Sequence, residues 1–187
     1  MCGRFTQTAS PAVIAQQFAV AIPPLVTPRY NIAPSQPIAA IRIEPDTATR
    51  TLVMLRWGLI PSWAKDPKIG HQCINAKAET VAEKPSFRAA FKSRRCLVIA
   101  TGFYEWQLRG RAKQPMWIGL KSHRPFTFAG LWEQWQPPDS AVIESCTILT
   151  TEPNELLKPI HNRMPVILAP TAYDQWLDPT FQRAEYL

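Results

Sequence analysis

Cys2 directly follows the first methionine in MCGRF. Once Met1 is removed, that residue carries two nucleophiles on neighbouring carbons, a free α-amine and a thiol. An α-amine titrates at about 7.7–8, more than two units below lysine, so part of it is neutral at physiological pH, and burial enlarges that part. A neutral amine condenses with an aldehyde to an imine, and the adjacent thiol can then close onto the imine carbon as a five-membered ring. No internal cysteine or lysine offers both groups. A small residue at position 2 is compatible with loss of Met1, by an aminopeptidase or by the protein itself. Position alone still favours an idle thiol on a frayed chain end.

Such chemistry needs groups that move protons and orient the reactants. In GFYEW a strand puts Phe103 and Glu105 on one face, with Tyr104 and Trp106 on the other. Desolvation among aromatics raises a carboxyl towards the range where it both gives and takes protons; by spacing alone, an edge-strand Glu reaching water is the commoner outcome. His161 stands between Pro159 and Pro165 in KPIHNRMPV, a stiff loop end suited to a general acid or base, although a lone His is more often structural. His71 and His123 read as loop and turn residues. In NAKAET, Asn75 and Lys77 alternate, so an extended chain points both the same way: an orienting amide and a phosphate contact. An Asx turn with a solvated lysine fits the same letters.

The bulk composition bounds the partners. The 187 residues, 46% hydrophobic and 19% charged, suit one ordinary globular domain that needs no disulfide staples. Cys2, Cys73, Cys96 and Cys146 are scattered and form no C-x-x-C pair, so they read as reduced thiols, the last three as buried small hydrophobes. A zinc site is not expected, because HQC (His71, Cys73) lacks a second pair. No apolar run approaches ~18 residues and no signal-like start is present, which predicts a soluble, cytosolic protein without membrane or metal partners. The net charge of +7 favours a polyanion, and among seven Trp any that stand exposed beside Arg or Lys could stack unpaired bases.

These groups need a scaffold. Ser10–Val20 reads as a helix with an N-cap Ser and Pro at its first position. TPRYNIAPSQPI reads as a loop. Ile38–Glu44 and Arg50–Ile60 read as a hairpin, followed by a long, weakly periodic segment through NAKAET. KPSFRAAFKSR suggests a second short helix. Cys96–Leu108 and Gln114–Leu120 form a hairpin about Gly110; FTFAGLWEQW, CTILT and Met164–Leu168 add strands, and PTAYDQWL closes as a helix. The predicted class is α+β: residues 1–187 as a single domain around a curved, barrel-like antiparallel β-sheet with a few short flanking helices.

MCGRF, RYNIAP, WGLIPSWAKD, NAKAET, RRCL, GFYEW and IHNRMPVIL occur in an order that resembles the SRAP family, the SOS-response-associated peptidase domain proteins. The resemblance runs from Cys2 to about Leu177. It implies a barrel-like α+β fold and covalent capture of abasic sites in single-stranded DNA as a thiazolidine on the N-terminal cysteine, with self-removal of Met1. Cys2 would then be the nucleophile, amine first and thiol second. Asn75 would hold the amine and the sugar oxygen, Glu105 would shuttle protons, and His161 would act as acid or base on the sugar hydroxyl. Arg4, Lys77 and Arg163 would grip phosphates, and Trp63 would stack or wedge where the strand kinks. The resemblance implies no cofactor, a monomer, and a bacterial cytosol, associated with the nucleoid when on DNA.

The sequence departs from the family pattern at Lys77, where members commonly carry Arg; lysine keeps the charge but loses the bidentate fork. Ile99 and Thr101 replace Pro and Asp of the family motif, which predicts altered strand packing outside the catalytic set. Two other readings remain from the residues: a cysteine peptidase using Cys2, His161 and Glu105 on peptide bonds, and a passive single-strand binder, which leaves Cys2 without a purpose.

Overall fold

Period-two alternation lays out two sheets in the computed structural model, which describes residues 2–21, 26–44, 46–137 and 141–181. Met1 and the last six residues therefore lie outside the described residues. The larger sheet starts from the hairpin of β3 (Pro37–Ile43) and β4 (Arg50–Trp57), in register from Pro37 opposite Arg56 to Ile43 opposite Arg50. β1 (Arg4–Gln7) and β2 (Arg29–Ile32) precede it and belong to the smaller sheet. β5 (Asn75–Lys77), β6 (Arg95–Ala100), β7 (Gly102–Arg109), β8 (Ala112–Ile118), β9 (Phe126–Trp135) and β10 (Ile143–Thr151) follow, then the two-residue strands β11 (Met164–Pro165) and β12 (Ile167–Leu168).

The larger sheet runs β11-β10-β4-β3-β6-β9-β12, and pairing of β9 with β10 closes the middle five strands into a barrel. Its pairs are antiparallel except on one flank of β10, where β4 and then β5 lie parallel. That parallel edge is the departure from the all-antiparallel expectation. The loop after β4 makes it possible. Gly58 has φ +128, and a Cβ there would stand 2.6 Å from the Gly70 carbonyl oxygen, so two backbones touch where only glycine fits.

Alternation divides the apolar residues between the two faces of the barrel wall. Ile38, Ala40, Cys96, Val98, Phe128, Cys146 and Ile148 join one cluster, while Ala39, Ile41, Leu97, Ile99, Ala129 and Leu149 join the other. Three short helices cover the second cluster or its rim: α1 (Pro11–Phe18), α2 (Arg88–Ser93) and α3 (Tyr173–Leu177). The α1 helix starts as its letters predict, with Ser10 accepting from the Val13 amide and Pro11 at its first position, and it buries Ile14 and Phe18. Arg95 is buried and ties α2 and α3 down by donating to the carbonyls of Phe91, Lys92, Trp176, Asp178 and Phe181.

The smaller sheet, β2-β1-β7-β8, covers the first cluster. Phe5 on β1 stands opposite Phe103 and makes edge contacts with Trp57 at 5.3 Å and Phe128 at 5.9 Å between ring centroids. Complete burial of such a ring contributes about 1.5–3 kcal/mol, and it fixes the chain three residues after Cys2.

Four expectations are revised. Part of TPRYNIAPSQPI is the strand β2 rather than loop, because its backbone pairs with β1. The single strand over Cys96–Leu108 breaks at Thr101, whose amide donates to Thr6 O at 2.7 Å, so β6 stays in the barrel and β7 crosses to the smaller sheet. Met164–Leu168 splits about Val166 into one strand on β10 and another on β9. The long segment before NAKAET holds a 3-10 turn over Pro67–Gln72, and β5 inside NAKAET itself. Gly110 turns the β7–β8 hairpin at φ +61, as predicted.

Candidate active site

The pleat of β7 turns Phe103 and Glu105 inward and leaves Tyr104 and Trp106 more exposed. Glu105 is 2% exposed, and burial raises its carboxyl above the usual range, while the nearby His161 pulls the other way. Cys2 is fully buried at the lip of the first cluster. Its thiol is pushed far above the usual range, first by burial and then by the negative charge of Glu105, against a smaller pull from the Arg4 backbone amide. A thiol so placed is neutral at physiological pH, hence a weak first nucleophile.

β5 lies parallel to β10, with Asn75, Ala76 and Lys77 opposite Ile148, Leu149 and Thr150. Ala76 is buried in the second cluster, so Asn75 and Lys77 emerge on the opposite side. There the Asn75 Nδ2 donates to the Cys2 carbonyl oxygen at 2.9 Å. The Asn75 Oδ1 is buried and has no hydrogen-bond partner among the described residues, an acceptor left ready for a donor.

His161 completes the group from the loop before β11, with Nε2 3.9 Å from Glu105 Oε2. The Arg163 backbone amide donates to His161 Nδ1 at 3.0 Å. The Arg163 carbonyl oxygen also lies 3.2 Å from Nδ1, so either neutral tautomer finds a partner there; the shorter amide contact, with the Glu105 carboxyl facing Nε2, favours the form that carries its proton on Nε2. A cleft of about 370 Å³ opens here, lined by Glu105, Trp106, Lys113 and His161.

The structure therefore brings Cys2, Asn75, Glu105 and His161 into one linked group, and places the expected DNA-facing residues variously. Lys77 is exposed. Trp63 is 58% exposed, its indole N–H directed at the Pro85 carbonyl at 3.4 Å. Arg4 is half-buried and donates to Asn31 Oδ1 at 2.9 Å. Arg163, expected to grip a phosphate, is engaged within the protein. Its guanidinium forks onto Glu79, Nη1 to Oε1 at 3.0 Å and Nη2 to Oε2 at 2.8 Å, and Nη2 also donates to Thr150 O. Hydrogen bonds from Arg163 hold the Glu79 carboxyl below its usual range.

Sequence reasoning passed over Lys113, Trp106 and Glu79. Trp106 and Glu79 were within reach, since Trp106 adjoins Glu105 and Glu79 extends the Asn75, Lys77 alternation. Lys113 gives no sequence signal, because only the hairpin returns it to the cleft. Four of the seven Trp (Trp57, Trp132, Trp135, Trp176) are buried, whereas Trp63, Trp106 and Trp117 are exposed, Trp106 at the cleft. Among the described residues no three His, Cys, Asp or Glu side chains cluster as a metal site, and no helix is long and apolar enough to cross a membrane.

Comparison with known proteins gives the chain its relatives. The chain is 49% identical over 191 residues to the abasic site processing protein YoqW of Bacillus subtilis, covering 100% of this chain and 84% of that one. It is 36% identical over 181 residues to the abasic site processing protein HMCES of Gallus gallus, covering 81% of this chain and 54% of the relative. A crystal structure of a protein from Bacteroides thetaiotaomicron superposes with a TM-score of 0.89 at 28% identity, covering 98% of this chain and 84% of the other. One from Bordetella bronchiseptica gives 0.86 at 25% identity, covering 100% and 92%. The family model for SOS response associated peptidase (SRAP) matches residues 1–187 from end to end, and the chain belongs to that family.

Proposed function

We propose that this chain captures abasic sites in single-stranded DNA through Cys2 after Met1 is removed, as a thiazolidine crosslink that shields the lesion. The observation that carries this reading is the buried Cys2 with its carbonyl held by Asn75 and Glu105 beside it. The neutral, buried thiol favours the order amine first. The amine nitrogen adds to the aldehyde carbon of the ring-opened sugar, the carbinolamine loses water, and the thiol sulfur adds to the imine carbon while its proton passes to the nitrogen. One water leaves and no oxidant or reductant is needed.

Glu105, with its raised carboxyl, is suited to hand a proton to the departing hydroxyl and take one from the thiol. His161 presents Nε2–H to the sugar hydroxyl and favours the open-chain aldehyde. The Asn75 Oδ1 accepts from the new amine, and its Nδ2 keeps the Cys2 carbonyl in place. Hydrolysis of the Met1–Cys2 bond uses the same Glu105. Lys77 and Arg4 meet phosphates, Trp63 stacks at the kink, and Arg163 supports the positive face from its ion pair. Peptidase action on other chains is the weaker reading, since Cys2 is buried with a neutral thiol and a carboxylate rather than an imidazolium stands against it.

The test is incubation with an oligonucleotide carrying one abasic site, followed by a denaturing gel. A heat-stable shifted band without borohydride is expected, absent for Cys2→Ala and absent when an N-terminal tag blocks the amine. Cleavage of unrelated peptides with no such band favours the peptidase, and a salt-sensitive shift on native gels alone favours the passive binder.

A further inference from the structure

Asn75 and Glu79 leave the same short segment in opposite errands. Asn75 holds the Cys2 carbonyl, and Glu79 holds the loop that carries His161. The Glu79 carboxylate receives both Arg163 terminal nitrogens, and its Oε1 also accepts from Thr151 Oγ1 at 3.3 Å. Thr151 stands opposite Met164 in the β10–β11 pair, immediately after Arg163. Glu79 therefore pins the root of the loop from both strands, and the residue it pins is the one whose backbone amide reaches His161 Nδ1.

Resting on the functional reading above, we propose that Glu79 is a positioning residue: through Arg163 it fixes the Arg163 amide on His161 Nδ1 and so sets the tautomer that presents Nε2–H to the cleft. The argument is geometric. An imidazole has two ring nitrogens, and the hydrogen bond made at one decides which proton the other carries. The Arg163 amide, at 3.0 Å, competes for Nδ1 with the Arg163 carbonyl at 3.2 Å, and it keeps the shorter contact only while residues 161–163 keep their turn. A bidentate Arg–carboxylate pair is the rigid form of such a brace, because its two parallel bonds fix direction as well as distance. Arg163 has its polar contacts on Glu79 and Thr150, so its side chain acts on the loop it belongs to. The hydrogen bonds of the Glu79 carboxylate go to Arg163 and Thr151, and its influence on the chemistry runs through His161.

The test uses the whole chain and two variants, Glu79→Gln and Glu79→Asp, at a partly exposed position where folding is not at stake. Proton–nitrogen correlation spectra of the imidazoles, on protein without DNA, read the tautomer of His161; a His161→Asn control assigns its signals among the three histidines. The parent is expected to show the Nε2–H form, Glu79→Gln a mixture, and Glu79→Asp a partial return. With saturating abasic-site oligonucleotide, the crosslinking rate constant of Glu79→Gln is expected to fall roughly tenfold, the scale of one lost charge-assisted hydrogen bond. Binding of an undamaged oligonucleotide is expected to stay as in the parent or to tighten, since Arg163 is released. An unchanged tautomer in Glu79→Gln, or a rate loss explained wholly by weaker DNA binding, overturns the proposal. If the parent forms no crosslink, the functional reading falls, while the spectra still decide the tautomer.

Discussion

Asn75 Nδ2 donates to the Cys2 carbonyl oxygen at 2.9 Å, across 73 positions of sequence. The bond joins a three-residue strand paired with β10 to the residue two places before β1 of the smaller sheet, and the reactive residue sits where the two sheets meet. Asn75→Asp keeps the shape but replaces the donor with an acceptor, and sets a negative charge beside Glu105. Its crosslinking rate is expected to fall by roughly tenfold or more, the value of one buried hydrogen bond turned repulsive. Timed samples on denaturing gels measure it, and a parent-like rate removes Asn75 from the site.

Glu105→Gln separates chemistry from stability. In protein translated without any methionine aminopeptidase, intact-mass spectrometry is expected to find Met1 retained and gels to find crosslinking slowed; complete loss of Met1 from this variant under those conditions refutes the assignment. The folded protein binds the Glu105 proton more tightly than the unfolded chain, because burial raises the carboxyl. Its contribution is favourable below the unfolded carboxyl's ordinary range and is lost as pH rises through the raised folded value. Glutamine carries no such penalty. The Tm of Glu105→Gln is therefore expected to exceed the parent's at pH 8, with the gap narrowing towards pH 4. A gap that widens towards acid contradicts the burial argument.

Phe5→Ala removes a fully buried ring from between Trp57 and Phe128. A loss of about 3–5 kcal/mol is expected in urea unfolding. Because Cys2 lies three residues away, its thiol should also become reactive towards a maleimide that the folded parent excludes. Stability loss with Cys2 still protected shows that another contact holds the terminus.

Lys77 is exposed and makes its case through salt. Lys77→Ala is expected to lower the slope of log binding constant against log salt by about 0.7, as for one phosphate contact on a single strand. Lys77→Arg should tighten binding through its fork. Equal slopes in all three proteins place Lys77 off the DNA path.

Arg95→Met leaves buried carbonyls at the ends of α2 and α3 without their donor. A loss of about 3 kcal/mol or more is expected, with hydrogen exchange quickening first in α3. Arg95→Lys should recover only part, because one ammonium cannot reach the separated carbonyls.

Local grammar in the sequence carried the elements whose pattern is short-range. The alternation of GFYEW put Glu105 on one face with Phe103, the Ser10–Pro11 pair started α1, and Gly110 marked its turn. What stayed hidden depends on distant partners. β5 is three residues long and becomes a strand only because β10 lies beside it. The break at Thr101 is invisible in a continuous apolar run, since its cause is Thr6, 95 positions away. The brace on Arg163 was hidden for the same reason: Glu79, which engages it, is 84 positions distant.

The placement of Phe5 has a temporal side. Its partners Phe103 and Phe128 leave the ribosome only after about a hundred further residues, roughly 5 to 25 s of synthesis at ordinary elongation rates. Until then β1 has only β2 to pair with and no core to cover it, and the start of the nascent chain is open to an aminopeptidase. Once β7 and β9 arrive, Cys2 goes under cover and outside access ends. Met1 can thus be lost by either of two routes, one before closure and one after, and the second falls to the protein's own Glu105.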